Sequence, residues 1–284
     1  MKTPILQVVP NGPPSHGALL RAEHLVIDYA TERGLVRALD DVSFEVHRGD
    51  RFVLLGPSGC GKSTLLKAVA GFVAPRAGSL RLGGKPVTGP GLDRIVVFQE
   101  FDQLPPWKTV EANVMFPMLA GGVGKKDARE RARHWLGKVG LARFGDAYPH
   151  ALSGGMKARV AIARALAMQP EILLMDEPFA ALDALTRRKM QEELQALWEE
   201  IGFTMLFVTH SIEEALVVGN RILLLSPHPG RVRAELNSHQ FDLGSAGSPE
   251  FQAANERIHR LLFGEAALAA PSIPSTVPGY AAHP

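Results

Sequence analysis

Two stretches of this chain have residue types and spacings that could do chemistry on a phosphate chain. The first is Gly56-Pro57-Ser58-Gly59-Cys60-Gly61-Lys62-Ser63-Thr64, which reads G-x-x-x-x-G-K-[ST] and has the pattern of a phosphate-binding loop. Such a loop wraps around its anion, so Cβ atoms would block both the positive φ angles and the close approach of backbone N–H groups. Those N–H groups, with the exposed start of the next helix, present partial positive charge. Lys62 would reach the β- and γ-phosphates, and the Ser63 hydroxyl would ligate Mg²⁺. The second stretch is Asp176-Glu177. An acid at the end of a strand is where the other holder of the magnesium shell belongs, which assigns Asp176. Glu177, one step further out, is placed to orient or deprotonate a water in line with the γ-phosphate.

The elements that must position these residues are legible as periodic runs. Arg51-Phe52-Val53-Leu54-Leu55 reads as the strand before the loop and Leu65-Leu66-Lys67-Ala68-Val69-Ala70 as the helix after it. Ile95 to Phe98, Ile172 to Met175, Met205 to Val208 and Ile222 to Leu225 are short, fully apolar runs of the buried-strand type. Their alternation with helices, such as the one carrying Met190, Leu194, Leu197, Trp198 and Ile201 on one face, argues for a mostly parallel sheet covered on both sides. Strand patterns at Leu25 to Tyr29, Leu39 to Val46 and Ser79 to Leu82 add a small antiparallel sheet. The fold class expected is therefore α/β, a P-loop core with an antiparallel β subdomain and an inserted helical subdomain over about residues 105–166. Residues 1–18 read as a loose leader, 19–263 as the domain that carries the loop and both sheets, and the Ala- and Pro-rich residues 264–284 as a disordered tail.

Composition narrows the classes. Apolar residues make up 46% and charged residues 21% of the 284 positions, as in ordinary globular proteins. A net charge of +2 gives no basic stripe of the kind nucleic acid requires, so no nucleic-acid partner is expected. The single cysteine, Cys60, excludes an internal disulfide and suits a reducing compartment. Its place in the loop invites a nucleophile reading, but a small side chain tolerated between two glycines explains it as well. No run approaches the roughly 18 to 20 apolar residues that span a bilayer, and the first ten residues lack the apolar region of a signal peptide. Any step across a membrane would need another chain.

Leu152-Ser153-Gly154-Gly155-Met156, upstream of Asp176-Glu177-Pro178, resembles the signature of ABC-type ATPases. The resemblance spans about residues 19–232, and it implies Gln99 as a metal and water sensor, Ala181-Leu182-Asp183 as the D-loop, His210 as the γ-phosphate contact and Tyr29 as the aromatic that stacks on adenine. Ser153, Gly154 and Gly155 precede a helix, so their free N–H groups form a second anion site. In the family that site, with Asp183, serves the phosphate-binding loop of a second ATPase subunit. The resemblance thus implies a dimer, read as a homodimer, with ATP sandwiched at its interface and Mg²⁺ on Ser63, Gln99 and Asp176 of the chain whose loop holds that ATP; the sequence does not say whether the two subunits are identical. The sequence departs from the family at Ala158, where glutamine is usual, which puts a local helix contact in doubt.

Lys62 and Ser153 are 91 positions apart, a spacing that fits a transporter subunit and not the DNA-acting branch with its long coiled coil. Gly89-Pro90-Gly91, Phe98 to Trp107, Met175 to Asp183 and Ser226-Pro227-His228-Pro229-Gly230-Arg231-Val232 look like the ATPase subunits of nitrate, sulfonate and taurine importers. That resemblance implies a peripheral place on the cytoplasmic face of the membrane, a separate permease and, beyond it, a solute-binding protein. Phe101, Leu104 and Trp107 either form the groove for the permease or pack into the helical subdomain's own core. The alternative function is a soluble regulatory ATPase of the same type without a permease. A P-loop kinase or GTPase would lack Ser153-Gly154-Gly155 and have no use for His210.

Overall fold

The apolar runs pair side by side in a computed structural model that describes residues 6–8, 17–32, 34–98 and 103–264. The larger sheet has the order β1 (Gln7–Val8), β11 (Val232–Asn237), β10 (Arg221–Leu225), β4 (Arg51–Leu55), β9 (Met205–Thr209), β8 (Ile172–Asp176), β7 (Arg94–Val97). The five strands from β10 to β7 are parallel, while β11 and β1 add antiparallel pairs at one edge. Gln7 and Val8 are therefore strand-paired where the sequence reads as leader, and Leu6 before them is fully buried. A two-residue strand, Gln7-Val8, is too short to register as a strand without its partner. The remainder of that leader, apart from residues 17 and 18, and the tail 265–284 lie outside the described residues.

Successive side chains of the parallel strands point to opposite faces, and this divides the core in two. Val53, Leu55, Leu173, Met175 and Phe207 join one cluster with the helices, whereas Phe52, Leu54, Leu174, Leu206 and Leu225 join the other. The second cluster is shared with α1 (Lys62–Val69) and with the antiparallel sheet β3 (Gly34–Val46), β2 (Leu20–Thr31), β5 (Ala77–Leu82), β6 (Lys85–Pro86). The first is covered by α4 (Gly154–Leu166), α5 (Ala184–Ile201), α6 (Ile212–Val218) and α7 (Pro249–Phe263). The sheet is thus covered on both faces, the arrangement expected of near-continuous apolar strands.

Two further helices, α2 (Val110–Ala120) and α3 (Lys125–Lys138), pack beside α4. Ala128, Ala132 and Leu136 recur every fourth residue on the buried side of α3. Glu111 of α2 accepts hydrogen bonds from Arg129 at 2.9 Å and Arg133 at 2.7 Å, which fixes the two helices side by side.

Candidate functional site

The loop Gly56–Thr64 joins the carboxyl end of β4 to α1, where open α/β sheets offer a crevice to ligands. Gly61 has φ 98°, and a Cβ there would lie 2.6 Å from Leu39 Cδ2 and 2.9 Å from the Ala38 carbonyl. Any side chain would push the loop off β3. Lys62 is 5% exposed, and its ammonium donates to the carbonyls of Gly56 at 2.8 Å and Pro57 at 3.0 Å. An ammonium has three donors; the third meets only Cys60 Sγ at 4.0 Å, which leaves capacity for a phosphate oxygen. Cys60 itself is buried, and burial pushes its thiol up from the ordinary range. A thiol held protonated is a poor nucleophile, so the small-side-chain reading of Cys60 stands.

Across the crevice, β8 delivers Asp176 to the loop. Ser63 donates to Asp176 Oδ1 at 2.9 Å. Burial pushes the Asp176 carboxyl above its ordinary range; the Ser63 hydrogen bond opposes this, neighbouring Glu177 adds to it, and Lys67 and Lys62 oppose it. A hydroxyl and an under-compensated carboxylate are hard oxygen donors of the kind Mg²⁺ takes, with waters and phosphate oxygens filling its octahedron. Among the described residues no group of three or more His, Cys, Asp or Glu side chains could hold a metal, so the ion would share its shell with the nucleotide.

Glu177 follows with its backbone in the left-handed region, φ 46°, a conformation that costs a non-glycine residue of the order of 1 kcal/mol or more and clusters at functional sites. Its N–H donates to the Val208 carbonyl at 3.1 Å. Its Oε2 lies 2.8 Å from His210 Nδ1, at the end of β9. The strained turn re-aims the carboxylate from the sheet toward His210. The other aromatic candidate, Tyr29 on β2, is 37% exposed and donates from its hydroxyl to Thr64 Oγ1 at 3.3 Å. Its ring therefore stands beside the start of α1, where a base attached to loop-bound phosphates could reach it.

Ser153, Gly154 and Gly155 sit elsewhere. Ser153 caps α4, accepting from Met156 N at 3.3 Å, so Gly154 and Gly155 form the first turn itself. The helix begins at Gly154, so of the three residues that the sequence places before it only Ser153 precedes it. Asp183 caps α5 through Thr186 N at 3.0 Å, and hydrogen bonds from Thr186 hold its carboxyl below the ordinary range. A Cβ at Gly155 would lie 3.0 Å from Thr186 Cγ2, so the glycine brings these two helix starts together. Both are bonded to their own helices and not to the loop Gly56–Thr64.

Gln99 and Phe101 lie outside the described residues. Leu104 is 2% exposed and belongs to the core, whereas Trp107 is 75% exposed. Several residues that fix this machinery were not singled out in the sequence. Arg187 donates to the carbonyls of Phe179 at 3.3 Å and Leu182 at 3.0 Å, holding the turn between Glu177 and Asp183. Arg164 donates to the carbonyl and side chain of Gln103 at 2.7 and 2.9 Å, anchoring the chain just beyond Gln99. Asn113 donates to the carbonyls of Lys108 and Thr109 at 2.9 and 3.0 Å. The sequence carried one signal for Arg164, an arginine among alanines on a buried helix face.

Comparison with known proteins agrees with this geometry. Residues 39–180 match the family described as ABC transporter. A taurine import ATP-binding protein of Rhizobium johnstonii is 46% identical over 86% of this chain and 96% of its own length. An uncharacterized ABC transporter ATP-binding protein of Methanocaldococcus jannaschii is 48% identical over 75% of this chain and 80% of its own. Among solved structures, a dimeric ATP-binding cassette in a post-hydrolysis state with ADP and Pi is 31% identical. It has a TM-score of 0.66 and covers 78% of this chain and 100% of its own.

Proposed function

This chain belongs to the ABC transporter family of ATP-binding proteins, and on that premise we propose that it binds and hydrolyses ATP to drive uptake of a small anion. Taurine is the first candidate solute, with other sulfonates and nitrate beside it. The observation that carries the reading is that Ser63 meets Asp176 at 2.9 Å and Glu177 meets His210 at 2.8 Å at the carboxyl ends of neighbouring parallel strands. The name of the Rhizobium relative supports the solute class.

In this reading the loop N–H groups and Lys62 bind the β- and γ-phosphates, and Tyr29 takes the adenine. Ser63, Asp176 and Gln99 would hold Mg²⁺, which would supply neutralising charge to the phosphates. Glu177 accepts the proton of the attacking water, and His210 holds that carboxylate and contacts the γ-phosphate. Ser153, Gly154, Gly155 and Asp183 serve the loop of a second copy, so two ATP molecules close a homodimer and hydrolysis reopens it. No helix among the described residues is long and apolar enough to cross a membrane, and the transport step falls to a separate permease on whose cytoplasmic side this chain sits. Exposed Trp107 lies on the groove proposed for it. A solute-binding protein would deliver cargo on the other side.

The test is hydrolysis by this chain reconstituted with its permease and binding protein in vesicles. Taurine, an alkyl sulfonate or nitrate should raise the rate severalfold; a complex that assembles yet answers to none of the three overturns the import reading.

A further inference from the structure

The stretch Ser226-Pro227-His228-Pro229-Gly230-Arg231 joins β10 to β11 and has no part in the chemistry above. It nevertheless lies against the back of the phosphate-binding loop. Gly230 is buried, and a Cβ at its position would stand 2.1 Å from the Cys60 carbonyl and 2.9 Å from Leu39 Cδ2. Its backbone is stitched to β3 on both sides: Gly230 N donates to the Ala38 carbonyl at 2.9 Å, and Asp40 N donates to the Gly230 carbonyl at 3.0 Å. The turn closes on itself through Ser226 N to the Arg231 carbonyl at 2.9 Å and Arg231 N to Ser226 Oγ at 3.0 Å.

Charge extends this stitch to the base side of the site. Asp40 accepts from Arg231 on one oxygen and from Arg37 at 3.0 Å on the other. Arg37 also donates to Asp28 at 3.1 Å, and Asp28 takes Arg76 at 2.5 Å. Arg37 holds the Asp28 carboxyl below its ordinary range, with Arg76 adding to the effect. Asp28 is the residue before Tyr29, whose hydroxyl meets Thr64 at the far end of the loop. The contacts form a closed ring: loop, Gly230, Arg231, Asp40, Arg37, Asp28, Tyr29, loop. A ring that runs from the phosphate side to the base side fixes the distance between the two.

We propose that the Ser226–Arg231 turn is a strap that positions the phosphate-binding loop against β3, with Gly230, Arg231 and Asp40 as positioning residues for ATP binding. The proposal rests on the reading of that loop as the ATP site. None of the three touches the reacting atoms, and all lie on the loop's opposite side from Glu177 and His210. Loosening the strap should therefore weaken nucleotide binding, ground state and transition state alike, and leave the chemical step nearly intact.

The experiment measures ATP KM and kcat, and binding of a fluorescent ATP analogue, for the full chain and for Arg231→Ala, Arg231→Lys and Gly230→Ala, with Tm alongside. Arg231 has an exposed side chain, and loss of such a pair is worth a factor of about three. KM should rise by that factor in Arg231→Ala with kcat unchanged and Tm held. Arg231→Lys should return toward the parent value. Gly230→Ala, which must displace Cys60, should raise KM about tenfold or more. If the parent chain binds the analogue and Arg231→Ala and a folded Gly230→Ala bind it equally well, the strap is overturned while the ATP-site reading survives. A fall in kcat at constant KM overturns it too. If the parent chain binds no nucleotide, the ATP-site reading is what fails.

Discussion

Around Gly56–Thr64 the polar side chains are bonded to one another, whereas around Ser153–Gly155 and Asp183 they are bonded only to their own helices. Lys62 rests on loop carbonyls, Ser63 on Asp176, Glu177 on His210 and Tyr29 on Thr64. Ser153 and Asp183, both exposed, cap α4 and α5 and reach no further among the described residues. Yet both regions present helix starts, with the same unsatisfied N–H groups. One region is organised in advance by its own sheet; the other offers the same chemistry to a ligand that something else must carry. A second copy, bringing its own loop-bound ATP, is what would complete it.

The comparison breaks first at the strained residue. Glu177→Gln keeps the shape and removes the base, so turnover should fall by about a thousandfold while ATP binding holds. ATP-driven association of two copies should persist in the variant and be seen by size-exclusion chromatography. Wild-type turnover in Glu177→Gln removes that residue from the proposed role.

A variant on the open side separates the regions more sharply. Ser153→Arg places a bulky cation over an exposed helix start. It should lower hydrolysis by about a hundredfold or more, measured by phosphate release, while loss of the α4 cap at Met156 N lowers Tm by only about 2 to 4 °C. Binding of ATP by single copies should be unchanged. Unaltered hydrolysis would mean that α4 does not face a nucleotide.

Tyr29→Ala tests the other rim. Base stacking on an aromatic ring is worth of the order of 1 to 3 kcal/mol, so the KM for ATP should rise about tenfold with kcat held. An equal KM for ATP and for inorganic triphosphate in the parent chain would show that the base is not read at all.

The ends of the parallel strands and the loop were legible because short apolar runs end in polar motif residues, and β4, β7, β8, β9 and β10 each begin and end within a residue of their runs, whereas the two-residue β6 had no run to announce it. The roles proposed for the residues at the strand ends come from motif and order. What the sequence concealed was contact made at a distance. Gly230 reads as a turn residue until β3 and Cys60 close on it, and Arg187 reads as a solvated helix charge until it takes two carbonyls of the preceding turn. Leu104 and Trp107 sit three residues apart in a Pro-broken stretch, where no periodicity divides inside from outside; one is buried and the other exposed. Ile201 follows the helical spacing of its buried neighbours but ends α5 and is 38% exposed.

The smallest effect expected concerns the cost of the built half. Asp176 has its carboxyl pushed up by burial, so the folded chain favours the protonated form more than the unfolded chain does. Stability from this group is therefore greatest at low pH and is lost as pH rises from the unfolded carboxylate range through the raised folded value. At neutral pH the ionised side chain destabilises the nucleotide-free protein, and Asp176→Asn, which keeps an acceptor for Ser63, should raise its Tm by a few degrees. The gain should shrink as pH is lowered through the carboxylate range. In the parent chain Mg²⁺ favours the ionised form, so Mg-ATP should bind more weakly as pH falls through that same raised value, while ATP without the metal should show less of this dependence. Calorimetry of the two chains across pH, with and without Mg²⁺, checks both signs. A Tm that drops in Asp176→Asn at neutral pH would mean that the bond to Ser63 outweighs the burial of charge.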